Sequence, residues 1–177
     1  MLSIPAAGKV PHLFRNDGGQ FQEVSKAGLV RLPAMNGVKV GDLTGDGIPD
    51  LVYADDTGFA YRAGTATGVA SSSVRLATVS STNRGWTVAL GDINGDGRTD
   101  VYGQVTKASG TTGNPDDLVL VANTGGTFTV YTAPTAAGDA NDVEAVRVGG
   151  RDQFVVLNGG KDEASSPGPV QLIAWVG

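Results

Sequence analysis

GDLTGDGIPDLVYAD, residues 41–55, carries four aspartates and three glycines and runs straight into an apolar stretch. The same shape returns at residues 91–105 as GDINGDGRTDVYGQV, with Asp42 and Asp92 separated by 50 positions. Such a period marks a repeat architecture, in which one supersecondary unit recurs and buries its apolar face on its neighbour. Two weaker echoes extend the pattern. LFRNDGGQFQEV (13–24) parallels LVANTGGTFTVY (120–131), and VEAVRVGGRDQFVVLNGG (143–160) keeps the flanking strands of the unit without its acidic loop.

Working outward, the segments around each loop read as short strands. The runs Val38–Val40, Leu51–Tyr53, Phe59–Arg62 and Val74–Val79 fill one unit, and Thr87–Leu90, Val101–Gln104, Leu118–Val121 and Phe128–Tyr131 fill the next. They are rich in β-branched and aromatic residues and are bounded by Gly, Asn and Asp. Four strands in a unit of this length predict an all-β chain built of four-stranded antiparallel propeller blades. The units expected within one domain over 1–177 are a half blade at 1–36, blades at 37–85 and 86–135, and an incomplete, degenerate blade at 136–177. That is about three and a half blades, where closed propellers hold about four to eight. The set does not close a ring, so a homodimer or another chain is expected to complete it. PVQLIAWVG at the C-terminal end reads as a third strand without an outer partner, and Phe21 to Val24 is a candidate for that partner, in the same chain or a neighbour. A β-sandwich also has many short strands, but the in-register loop repeat favours blades.

The loop chemistry follows from spacing. Asp, Asn and Thr at alternate positions turn oxygens to one side of a tight loop, and Gly47 and Gly97 at position six permit the turn. Many oxygen donors in one place suit a hard cation such as Ca²⁺. The first loop offers the side chains of Asp42, Thr44, Asp46 and Asp50 and the carbonyl of Ile48; the second offers Asp92, Asn94, Asp96 and Asp100 and the carbonyl of Arg98. Two Ca²⁺ sites are therefore expected. An EF-hand is excluded: position 12 is Tyr53 in one loop and Gly103 in the other where a bidentate Glu is needed, and the flanks are not helical. Against an ordinary solvated Asp-Gly turn stands the repetition, because carboxylates gathered twice without a cation repel one another.

These loops, as GDLTGDGIPDLV and GDINGDGRTDVY, resemble the FG-GAP or VCBS repeat known from integrin α-subunit propellers and many bacterial extracellular proteins. LFRNDGGQFQEVSKAGL (13–29) is similar to the blade-closing part of such bacterial proteins. The resemblance implies a β-propeller with structural Ca²⁺ between the first two strands of a blade, and a secreted or cell-surface module that binds a protein or a carbohydrate. The alternatives are a self-assembling structural unit and a polysaccharide-acting, lyase-like enzyme.

Composition bounds the rest. The 177 residues have a net charge of −5, 27 glycines and no cysteine, which excludes disulfides and thiol catalysis. There is no basic run to bind nucleic acid and no apolar stretch long enough for a membrane span. The opening MLSIPAAGKVPH lacks the pattern of a secretory leader, so export would need a leader removed or supplied from beyond this stretch. No catalytic set is assigned: His12 is the single histidine, and Arg84, Lys107 and Tyr131 share no spacing. Trp86 and Trp175 are expected to pack between blades in preference to stacking on a sugar. GTTGNPDDL (110–118) reads as a mobile loop or part of a binding surface, ATGVASSSV (66–74) as a connection, and Asp17 as a possible ancillary metal ligand in a hairpin turn.

Overall fold

Alternating apolar residues need one covered face per sheet, and the computed structural model shows how each face is covered. It describes residues 2–3, 12–24, 33–110, 115–134, 139–159 and 170–176. Strands β1 (Leu2–Ser3), β2 (His12–Asp17) and β3 (Gln20–Val24) form an N-terminal sheet in that order. The first blade is β4 (Gly37–Gly41), β5 (Asp50–Asp55), β6 (Gly58–Arg62) and β9 (Val74–Thr78). The small hairpin β7 (Gly64–Thr65) and β8 (Gly68–Val69) lies between its last two strands. The second blade is β10 (Asn83–Gly91), β11 (Asp100–Lys107), β12 (Asp117–Ala122) and β13 (Phe128–Ala133). The third has three strands, β14 (Asp139–Val148), β15 (Arg151–Gly159) and β16 (Val170–Ile173). Every pairing is antiparallel, and the strands of each blade follow chain order. The protein is all-β, a partial propeller that does not close. Among the described residues there is no helix, and so none long and apolar enough to cross a membrane.

The second blade is the centre of the stack. Val88, Val101, Val105 and Leu120 point to the first blade, where they meet Leu43, Val52, Ala54 and Phe59. Ala89, Tyr102, Val119 and Val121 point the other way, onto Val143, Phe154 and Val156 of the third blade. This is the period of two expected of a strand with both faces buried. Gly103 follows from it. A Cβ there would come within 2.6 Å of the Phe59 ring, so the residue that excluded an EF-hand is small because a neighbouring blade stands on it. Gly41 and Gly91, equivalent in the repeat, play the same part. A Cβ on Gly41 would lie 2.8 Å from Leu90 Cδ1, and one on Gly91 2.9 Å from Asp152 Cβ.

Three sequence expectations are corrected. Phe21 to Val24 pairs with β2 in the N-terminal sheet, so within the chain it does not complete β16. The Thr87–Leu90 strand is longer, beginning at Asn83, with a bulge between Gly85 and Thr87. Gly85 lies against the first blade, where a Cβ would stand 2.4 Å from the Gly58 carbonyl oxygen. The stretch 66–74 holds β8, and Ser73 anchors it by accepting hydrogen bonds from Tyr53 Oη (2.7 Å) and Arg62 Nε (3.1 Å).

Candidate functional site

Each acidic loop joins the first two strands of a four-stranded blade, and the two are built alike. In the first, Asp42 Oδ1 accepts from the amides of Gly45 (2.7 Å) and Asp46 (3.2 Å), and Oδ2 from Gly47 (2.8 Å). In the second, Asp92 receives the amides of Gly95 (2.8 Å), Asp96 (3.0 Å) and Gly97 (3.0 Å) on the same oxygens. The fifth-position aspartates also match, Asp46 accepting from the Ile48 amide at 2.8 Å and Asp96 from the Arg98 amide at 2.9 Å. Gly45, Gly47, Gly95 and Gly97 all have φ between 78° and 84°, a left-handed backbone that puts successive amides on one side. The glycine at position four is as necessary as the one at position six.

The aspartate at position nine has a second task. Asp50, fully buried, accepts the amides of Leu43 (2.8 Å) and Thr44 (2.9 Å) on one oxygen and that of Gly64 (2.7 Å) on the other. Asp100, equally buried, accepts Ile93 (2.9 Å) and Ala122 (2.8 Å). Gly64, in β7 just past the end of β6, and Ala122, the last residue of β12, occupy corresponding places beside the third strands. This aspartate therefore ties the loop to the far side of its own blade. Burial pushes the Asp100 carboxyl above the usual range; its two amide bonds oppose this, and the negative charges of Asp96 and Asp92 add to it.

Their rims differ. Asp96 Oδ2 takes the Arg98 guanidinium at 2.6 Å and the Asn94 amide at 2.9 Å. Slight burial would raise the Asp96 carboxyl, but the Arg98 amide, the Asn94 side chain and the Arg98 charge hold it below the usual range. In the first loop the corresponding residues are Thr44 and Ile48, and no described residue bonds Asp46 Oδ2. The loops also connect across blades. Thr99 Oγ1 donates to the Asp42 carbonyl at 2.7 Å, and the Asp92 amide donates to Asp152 Oδ2 at 2.8 Å. Nothing in the acidic motif pointed to Asp152, Gly64 or Ala122, because each is brought in by packing from another strand, nor to the task of Thr99, whose partner Asp42 lies in the other blade.

All ten residues assigned from sequence fall in two matching loops, in which Asp42 and Asp92 gather the turn amides while Asp50 and Asp100 bond others. Among the described residues, no three carboxylates or imidazoles converge on one point; their oxygens are turned to backbone amides. A carboxylate oxygen that accepts one amide keeps a further lone pair, and the donor set of hard oxygens fits a hard cation. An open cleft of ≈ 410 Å³ lies beside the first loop, between Asp42–Gly45, Gly97–Thr99 and the Ala122–Phe128 hairpin.

The other candidates fall into structural roles. Trp175 packs against the core between the second and third blades, with its ring edge-on to Tyr131 at 5.4 Å. The Arg84 guanidinium lies 5.2 Å from the Trp86 ring centroid. Asp17 is engaged by Arg15 at 2.6 Å. In 110–118, residues 111–114 lie outside the described residues, and Asp117 is not on a surface. It is fully buried at the start of β12, accepting from Val105 N (2.7 Å) and Tyr102 Oη (2.8 Å). Burial raises its carboxyl to about 6, against the lowering effect of those two bonds.

Comparison with known families agrees with the loop geometry. The model of the FG-GAP-like repeat matches residues 42–103, a span holding both acidic loops. No curated protein and no solved structure matches the chain.

Proposed function

We propose that the chain is a calcium-stabilised β-propeller module, secreted or cell-surface, that binds a protein or a glycan without catalysing a reaction. Asp42, Thr44, Asp46 and Asp50 with the Ile48 carbonyl would hold one Ca²⁺, and Asp92, Asn94, Asp96 and Asp100 with the Arg98 carbonyl a second. The bound ion would supply positive charge that cancels the repulsion among the loop carboxylates and stiffens the turn between the first two strands. One observation carries the reading: two loops 50 residues apart share the same carboxylate-to-amide scheme, oxygen for oxygen. A solvated turn has no reason to reproduce it. In an extracellular setting, exposed loops of this kind would bind Ca²⁺ weakly, with a Kd on the order of 10⁻⁴–10⁻³ M.

The test is thermal unfolding in millimolar Ca²⁺ and in chelator, with Asp46→Ala and Asp96→Ala beside the parent. An ion at ~10 times its Kd stabilises the native state by about 1.4 kcal/mol. The parent should melt higher in Ca²⁺, each single variant should keep part of the gain, and the double variant none. A parent insensitive to Ca²⁺ would remove metal from the loops.

A further inference from the structure

The third blade has no acidic loop of its own, yet it holds the second one. Its first two strands are joined by a two-residue turn, Gly149 and Gly150, with φ of 59° and 89°. Positive φ at both turn positions matches the twist of a hairpin and fixes its register. The register sets Arg147 opposite Asp152. Arg147 braces that aspartate, Nη1 donating to Asp152 Oδ1 at 3.2 Å and Nη2 to the Gly150 carbonyl at 2.7 Å. Asp152 then grips the main chain of Asp92 from both sides. Its Oδ2 accepts the Asp92 amide at 2.8 Å, and its own amide donates to the Asp92 carbonyl at 2.9 Å. Gly91 leaves room for this, since Asp152 Oδ2 lies 3.2 Å from where a Cβ would stand. Beside it the Arg151 side chain lies across Gly95, with Nε 3.0 Å from the position of a Cβ. Asp92 is the residue whose carboxylate gathers the turn amides of the loop. Its backbone is thus fixed by a different blade, through a side chain only 18% exposed. At the first loop the next blade offers the neutral hydroxyl of Thr99 to the Asp42 carbonyl.

We infer that Asp152 is a positioning residue for the second loop, and that it couples Ca²⁺ binding there to the seating of the third blade on the second. The inference rests on the reading of the loops as Ca²⁺ sites. Partners that orient a metal ligand from behind typically carry about 10–100-fold of the affinity. Asp152 acts in this way through the main chain, by fixing the point from which the Asp92 carboxylate projects. The coupling is reciprocal: the factor that a seated blade adds to ion affinity is the factor that the ion adds to the seating. The third blade, having no such loop, keeps a part in metal binding as the backing of its neighbour's loop.

Amide hydrogen exchange of the whole chain, read by mass spectrometry beside calorimetric Ca²⁺ titration, tests this. Asp46→Ala, which keeps the second loop, should exchange more slowly over residues 143–157 when Ca²⁺ is added. Asp96→Ala, which keeps the first loop, should gain Ca²⁺ protection over 37–55 and none over 143–157. Adding Asp152→Ala to Asp46→Ala should weaken the remaining Ca²⁺ site about tenfold and abolish the protection of 143–157. Adding Asp152→Asn instead, whose side-chain oxygen still accepts the Asp92 amide, should restore both. If the chain with Asp152→Ala fails to fold, the comparison of Asp46→Ala with Asp96→Ala decides. Equal Ca²⁺ effects on 143–157 in those two variants, or unchanged Ca²⁺ affinity on adding Asp152→Ala, would overturn the inference and leave the loops as metal sites. A parent that takes up no Ca²⁺ would overturn the metal reading and the inference together.

Discussion

The loops at 41–50 and 91–100 have the same skeleton and different rims. Asp42 and Asp92 gather the same three amides, and Asp50 and Asp100 fasten the loop to β7 and to the end of β12. The first loop carries three carboxylates with no cation of its own, whereas in the second Arg98 already pairs with Asp96. The skeleton is thus set by residues that shape the backbone, and the rim is free to vary because it faces water. The difference separates what holds the loop together from what a bound ion would feel.

Removing the skeleton should have the largest effect. Asp50→Ala orphans three amides, two of them at or beside the buried Leu43, at a cost of about 1–3 kcal/mol for each donor left buried. Urea denaturation in chelator should show a loss of about 3 kcal/mol or more for Asp50→Ala and about 2 kcal/mol for Asp100→Ala, which orphans two. Asn at either position should recover part of the loss. Equal losses for the two alanine variants would break the comparison, since the amide count would then not govern stability.

A buried carboxylate outside the loops sharpens it. Asp117 has only one amide and one hydroxyl against its burial, and its folded pKa of about 6 lies above the ordinary value of 3.8. The folded state therefore holds the proton more tightly. The contribution to stability is complete below the unfolded pKa and is lost as pH rises through the folded one. Two pKa units correspond to roughly 2–3 kcal/mol between pH 4 and pH 7. Asp117→Asn should flatten that part of the pH–stability profile and raise stability at pH 8 by a similar amount. An unchanged profile would remove Asp117 as its source.

The rims give smaller effects. Calorimetric Ca²⁺ titration of Asp96→Ala, which keeps the first loop, should report tighter binding than Asp46→Ala, which keeps the second. Arg98→Ala should tighten the second loop by roughly fivefold, the worth of an exposed ion pair at about 1 kcal/mol. Arg98→Ala without effect on the titration would mean that the guanidinium leaves Asp96 when the ion arrives. Smallest is Thr99→Val, which removes the one hydrogen bond to the Asp42 carbonyl and should cost about 1 kcal/mol in denaturation. The first loop has Pro49 at that position and no counterpart to lose.

The sequence by itself determined the unit. The 50-residue period, the β-branched runs and the Gly-Asp spacing give all-β blades and two matching loops, because strand periodicity and left-handed glycine turns are local properties. The assignment of Asp50 and Asp100 to the loops was legible for the same reason. Their partners Gly64 and Ala122 were not, since those amides arrive from β7 and from the end of β12, brought beside the loops by packing. Asp117 read as part of an exposed insertion, and only the ladder beside β11 turned it inward to Tyr102. Gly103 looked like a departure from a metal loop and proved to be the floor under Phe59. Tertiary structure alone decided which faces are closed. A strand's alternation tells that it has two faces, but what covers each depends on the neighbour that packs there.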